Sequence, residues 1–341
     1  MNAPLHHTLS DALDLRGLVL RRETLLAAAL AVLLAGIALR FPAFVTPSSL
    51  GGVFNDSAIL IIMALGQTAV LLTRSVDLSV AANVALTGMA VALIDAHHGL
   101  PFGLTLVVAP ALGLLLGAFN GLLVWRLGMP PIVVTLGTLT IYRGLAFVLS
   151  GGAWINSFQF SPAFLALPRA ELIGIPVLSW TAIAGVAAAA IVLGRTAAGR
   201  GWFAVGGNPT AAAYAGIDPG RSRFLAFCFS GLLSGLCGYL WVARYAVAYV
   251  DLASGFELDV IAACVIGGVS ISGGVGSVAG AVLGSLFLGT IKNALPVVNV
   301  SPFAQMAVSG TIIIAAVALN TRAERRRGRV ILRPVGPHPA E

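Results

Sequence analysis

A chain of 341 residues that is 58% hydrophobic and only 10% charged, with a mean hydropathy of +0.96, carries more apolar surface than a soluble domain buries, and that class is excluded. The net charge of +7 does not point to nucleic acid, because the basic residues are scattered between long apolar blocks and no basic face carries interleaved aromatics. Composition therefore predicts an all-α, polytopic membrane helix bundle.

In chain order, the polar N-terminus, 1–23, places Arg16, Arg21 and Arg22 just before an apolar run at 25–39. No small-residue cleavage site follows, so this run is expected to be a retained first span and not a signal peptide. Further runs of spanning length lie at 53–72, 78–94, 104–124, 132–149 and 177–193. A polar insert, 195–223, interrupts them before 224–242, 258–271, 275–295 and 303–319. The count is ten segments, the eighth short enough for a broken or tilted helix. The expected organisation is a tail at 1–23, a membrane body at 24–320 and a basic tail at 321–341.

Ten spans place both termini on one side, and the segments on that side hold 15 of the 20 Lys and Arg residues. Arg40, Arg169, Arg244 and Lys292 fall on the other side, and Arg143 lies within a span. Positive charge marks the cytoplasmic face, so the termini and the 195–223 insert are expected in the cytoplasm. A weak internal likeness links VAANVA (80–85) to IAACVI (261–266), each preceded by an acidic turn. An offset of five spans reverses orientation, so two inverted five-span halves are expected. Small-residue ridges at Gly113, Gly117 and Gly121, at Gly276, Gly280 and Gly284, and at Gly231 and Gly235 predict close helix packing.

Within the polar insert, Gly206-Gly207-Asn208-Pro209 followed by 210–214 and Gly216 spells a capped helix of about two turns. Such a helix is marginal alone in water and needs the protein or a partner to hold it.

Residues for enzymatic chemistry are scarce. The histidines are His6 and His7, His97 and His98, and His338, in the tails and one external turn, while Cys228, Cys237 and Cys264 sit in apolar runs without CxxC spacing. No cofactor or metal site is expected in this chain. Its single lysine, Lys292, follows Ile291, so a phosphate-cradling GK[ST] motif cannot form and any ATP hydrolysis must lie on another polypeptide. Arg74 and Asp77 flank the cytoplasmic junction of spans two and three, as a structural pair or with Asp77 as a helix cap; Glu257 and Asp259 take the same part at the outer end of span eight. The lack of mid-span carboxylates argues against an ion-driven carrier. Externally, Trp154, Asn156, Phe158 and Phe160 in one loop, and Tyr245, Tyr249 and Asp251 in another, suit a sugar-contacting or protein-docking surface. Trp154, Trp180 and Tyr245 equally suit an interfacial aromatic belt.

Five segments, TRSVDLSVAANVALTG, PPIVVTLGTLTIYRG, AVGGNPTAAAYAGID, FSGLLSGLCGYLWVAR and GFELDVIAACVIGGVSISGGVGSVAGAVLGSLFLG, closely resemble the permease subunits of ribose-type ABC sugar importers, in the same order and spacing from about residue 44 to 319. The resemblance implies a bacterial inner-membrane permease, not itself an enzyme. Its implied partners are a second permease subunit, a cytoplasmic ATP-binding subunit that holds ATP and Mg, and a periplasmic sugar-binding protein, all amid membrane lipid. It also implies that Gly206, Gly207, Asn208, Pro209, Ala212, Tyr214 and Gly216 form the coupling helix that docks on the ATPase. Thr210 stands where an acidic residue is common, which removes one charged contact. The turn containing Gly267, Gly268, Gly273 and Gly274 resembles the family's inner-gate segment, and Trp154, Asn156, Tyr249 and Asp251 would face the binding protein. The wording YAVAYV, GGAWIN and RAERRRGR is most similar to rhamnose permeases; ribose, another pentose or hexose, or an autoinducer-2-like sugar are the other expected substrates. The rival expectations are an ion-coupled sugar carrier and a sugar-sensing scaffold that does not transport.

Overall fold

The computed structural model describes residues 22–99 and 102–301, with single positions between 304 and 318. The N-terminal tail up to residue 21, most of the tenth expected span and the C-terminal tail lie outside the described residues, and with them His6, His7 and His338. Among the described residues eight helices are long and apolar enough to cross a membrane: α1 (Arg22–Arg40), α2 (Pro47–Leu72), α3 (Val80–His98), α4 (Phe102–Arg126), α5 (Pro131–Ser150), α7 (Val177–Arg195), α10 (Pro219–Tyr245) and α12 (Val278–Val297). They fall on eight of the expected spans, and the chain is a polytopic helical bundle. Shorter helices are α6 (Pro162–Arg169), α8 (Ala197–Gly207), α9 (Pro209–Tyr214) and α11 (Phe256–Ile266). The only sheet among the described residues is a two-residue hairpin, β1 (Glu171–Leu172) with β2 (Ile175–Pro176).

The eighth expected span is a half-helix. With 11 residues, α11 reaches about 16 Å, roughly half a hydrocarbon core, and the chain continues through a glycine-rich turn into α12.

Helix α2 is the pillar. Every side chain from 57 to 72 is buried, so this helix is apolar all round, as an interior helix must be. Around it pack α10, α12, α7 and α11, while α4, α3 and α10 form a second layer. The glycine ridges explain how the layers close. A Cβ on Gly113 would stand 2.3 Å from the Gly231 carbonyl oxygen, and one on Gly117 would stand 2.3 Å from that of Phe227. Gly231 and Gly235 meet α4 in the same way, so the two ridges found in sequence are the two sides of one seam. On the other flank, a Cβ on Gly284 would lie 2.0 Å from the Ala263 oxygen, which brings α12 against α11. No hydrophobic effect between helices operates in lipid, and such backbone-to-backbone contact is what remains to hold them.

Gly117→Ala is therefore expected to lower stability by about 2 kcal/mol or more through overpacking. Gly137 has nothing within 4 Å of an added Cβ, so Gly137→Ala is expected to change stability by less than about 1 kcal/mol. Thermal melts of the detergent-solubilised variants check both.

Candidate functional site

The polar insert is more ordered than its composition suggests. Thr196 caps α8 by accepting from the Gly199 amide at 3.2 Å, and Trp202 fixes the helix to α10, its indole nitrogen donating to the Ser222 carbonyl at 3.0 Å from a fully buried position. Helix α8 left little signature in the apolar pattern because it is mostly glycine and alanine around Arg200, Trp202, Phe203 and Val205. The Thr196 cap and the Trp202–Val205 spacing were its available signals.

Asn208 then breaks and restarts the helix. Its side-chain oxygen accepts from the amides of Thr210 at 3.0 Å and Ala211 at 3.1 Å, with Pro209 in the first turn of α9. The far end closes as a Schellman motif: the Ile217 amide reaches the Ala212 carbonyl at 2.9 Å, the Gly216 amide reaches Ala213 at 3.0 Å, and Gly216 has φ +81°. Of this six-residue helix, Ala212 is buried and Tyr214 is 90% exposed. The next helix begins at once, Asp218 capping α10 through the amides of Gly220 and Arg221 at 2.8 and 3.1 Å and accepting from the Trp125 indole at 3.2 Å.

The end of α8 is locked into the bundle at Gly206. A Cβ there would sit 1.8 Å from the Leu72 carbonyl oxygen and 2.2 Å from the Gly274 nitrogen. The Gly274 amide itself donates to that Leu72 carbonyl at 3.0 Å. Arg74, just beyond α2, takes a left-handed backbone (φ +61°) that turns its side chain onto α8, where it donates to the carbonyls of Gly206 and Gly207, both at 2.8 Å. A cation on the last carbonyls of a helix is favoured by the helix dipole. Gly273 and Gly274 adopt φ of +86° and +72°, and Gly273 lies against Arg74. Thus two groups that are far apart in sequence, 206–207 and 273–274, meet at Arg74.

The other turn glycines seat the same segment. Gly267 packs on Gly280, where a Cβ would come 2.2 Å from its oxygen, and the Gly268 carbonyl accepts from Arg22 at 3.3 Å. Ser277, which caps α12, donates to Glu23 at 2.9 Å. The start of α1 therefore grips this turn from the opposite side.

The Arg74–Asp77 pair expected from sequence does not form, because Arg74 is committed to α8. Asp77 instead sits buried among neutral groups, accepting from the Ser79 amide at 3.0 Å, the Ser79 hydroxyl at 2.7 Å and the Ser230 hydroxyl at 3.4 Å. It satisfies the amide ahead of α3 and not those inside its first turn. The network runs on through Asn120, which donates to Ser79 at 2.8 Å and accepts from Tyr142 at 3.2 Å. Burial pushes the Asp77 carboxyl above the usual carboxylate range, and its serine contacts only partly offset this.

In the loops that follow α5 and α10, Trp154 stacks on Tyr249 with ring centroids 4.8 Å apart, and Ile155 pairs with Ala248 through two backbone bonds of 3.0 Å. Two loops read separately in sequence are one surface. Asn156 opens a short 3-10 turn, its amide donating to Gln159 at 2.8 Å, and Asp251 is exposed nearby. Glu257 and Asp259 lie in the first turn of α11, where Asp259 pairs with Lys292 of α12. Among the described residues no three His, Cys, Asp or Glu side chains cluster as a metal site would require.

The architecture is a glycine-seamed bundle of apolar helices with a half-helix and a short capped helix in a polar insert. The chain belongs to the family described as branched-chain amino acid transport system / permease component, which matches residues 49–317. It is similar to the autoinducer 2 import system permease protein LsrC of Enterobacter sp. (strain 638), 37% identical over 281 residues, 82% of this chain and 81% of that one. The LsrC proteins of Klebsiella pneumoniae (37% over 288 residues, 84% and 83%) and Escherichia coli K12 (35% over 283, 82% and 81%) are alike. No solved structure matches. The chain is a permease of an ABC sugar importer.

The raised Asp77 carboxyl holds its proton where the unfolded chain has lost it. Its contribution to stability is therefore full below about pH 4 and lost as pH rises through the raised value. The melting temperature of the solubilised permease is expected to fall as pH rises above about 4, and the fall is expected to be smaller in Asp77→Asn.

Proposed function

We propose that this chain is the membrane-spanning subunit of an ATP-driven, binding-protein-dependent importer, working as a pair of permeases with a separate ATPase that binds ATP and Mg. The observation that carries this reading is α9: a six-residue helix, too short to persist alone, capped at both ends, with Tyr214 90% exposed and its base tied to α2 through Arg74. In this reading Asn208, Pro209, Tyr214 and the exposed alanines Ala211 and Ala213 form the grip on the ATPase. ATP binding there moves α8 and α9, and the motion reaches α2 and the 267–277 turn through contacts already packed. The charge asymmetry supports placing both termini and α9 in the cytoplasm of a bacterial inner-membrane protein, with the Trp154–Tyr249 surface facing a periplasmic binding protein. The 1–23 and 321–341 tails would flank the membrane body. Helices α3 and α11 are proposed as counterparts in two inverted halves.

For the substrate, the names of the relatives favour an autoinducer-2-like sugar over the rhamnose suggested by short stretches of wording; the proposed class is a small neutral polyhydroxy compound. The deciding experiment reconstitutes the chain with the ATPase and binding protein of adjacent reading frames, and follows ATP-dependent uptake of labelled autoinducer-2, rhamnose, ribose and leucine. Uptake of one of the first three only with all components supports the reading. Uptake by this chain alone under an ion gradient, or of leucine alone, overturns it. In the same system Tyr214→Glu is expected to lower binding-protein-stimulated ATP hydrolysis at least tenfold while membrane insertion is unchanged.

A further inference from the structure

Arg143 is the one arginine that the sequence places inside a span, and nothing in the coupling scheme uses it. It lies seven residues before the external end of α5, about 10 Å below it at 1.5 Å per residue. Ionisable side chains at such depth persist where they have work to do. A single guanidinium nitrogen of Arg143 donates to two carbonyls of the loop between α10 and α11, those of Val250 at 2.6 Å and Leu252 at 2.7 Å.

That loop is unusual in three respects. It dips into the bundle, with Leu252 1% and Ala253 7% exposed. Two of its non-glycine residues, Ala246 and Ala253, have φ of +53° and +57°, a conformation that stores strain unless its surroundings hold it. It also carries the external surface: Ala248 pairs with Ile155 and Tyr249 stacks on Trp154. Tyr249, Asp251 and Glu257 all lie near enough to act on the Arg143 charge. Helix α5, from which Arg143 projects, packs against α3 and α4 and exposes much of its remaining face. A loop that needed only to be held could be pinned by α10 or α11, which it joins. This one is pinned by a helix on the bundle edge.

We infer that Arg143 is a positioning residue that ties the strained external loop 246–255 to α5, so that a partner settling on the Trp154–Tyr249 surface displaces α5. This rests on the proposed docking of a binding protein on that surface. Because one nitrogen serves both carbonyls, a lysine ammonium can replace it and an uncharged methionine, which has no donor, cannot.

The test uses the full complex in nanodiscs, with loaded binding protein isolated from the periplasm together with the sugar it carries. Three quantities are read: binding-protein affinity, basal ATP hydrolysis and stimulated ATP hydrolysis. In R143M the affinity and basal rate are expected to stay within twofold, while stimulation falls at least tenfold; R143K is expected to keep stimulation within fivefold of the unchanged protein. Full stimulation in R143M overturns the inference, and so does a parallel loss of affinity, which would make Arg143 a shaper of the surface only. If R143M does not assemble, R143K decides alone: stimulation within fivefold supports the tie and a larger loss overturns it. Unchanged affinity in the double variant Trp154→Ala, Tyr249→Ala would instead remove the docking reading of this face.

Discussion

The end of this permease that carries α8 and α9 depends on one place where two backbones touch. At Gly206 the end of α8 lies so close to the last carbonyl of α2 that no side chain fits between them. Arg74 closes the contact from the α2 side with two hydrogen bonds to α8 carbonyls. Because the Leu72 carbonyl also accepts from Gly274, three segments share one junction: the pillar helix, the helix that leads into α9, and the turn between α11 and α12. Contacts of this kind are stiff, since close-packed backbone cannot yield as a flexible side chain does. The end of α8, which leads directly into α9, is thus joined to the bundle interior by backbone contact.

The same constraint recurs through the membrane body. The α4–α10 and α11–α12 seams are made by glycines facing carbonyls, so the helices approach as closely as backbone permits. Several buried polar groups beside the seams are paired with one another. The Asp77–Ser79–Asn120–Tyr142 chain links the α2–α3 junction to α4 and α5 without a basic partner for the carboxylate. Burial raises the Asp77 carboxyl and its hydrogen bonds to Ser79 and Ser230 partly offset this, which suits a structural carboxyl.

How much of this was legible in the sequence follows from which interactions leave a local mark. Spans are marked by length and hydropathy, and the eighth was visibly short. The Asn208-Pro209 start and Gly216 stop of α9 are marked by cap chemistry, and the glycine ridges by four-residue spacing. What the sequence did not mark are meetings between distant segments. Helix α8 has no apolar period. Arg74 has Asp77 three residues away and bonds instead to carbonyls more than 130 residues on. The Trp154 and Tyr249 loops join through a backbone bridge that no side-chain pattern records. Arg143 was visible as an oddity, but its carbonyl partners were not.

The central claim is that α9 is the surface on which an ATPase drives the permease. It is tested most directly by placing a photoreactive amino acid at position 214 of the otherwise unchanged chain, irradiating native membranes and identifying what is attached. The account predicts a cross-link to the cytoplasmic ATP-binding subunit. A cross-link to lipid alone, or to a periplasmic protein, would contradict it.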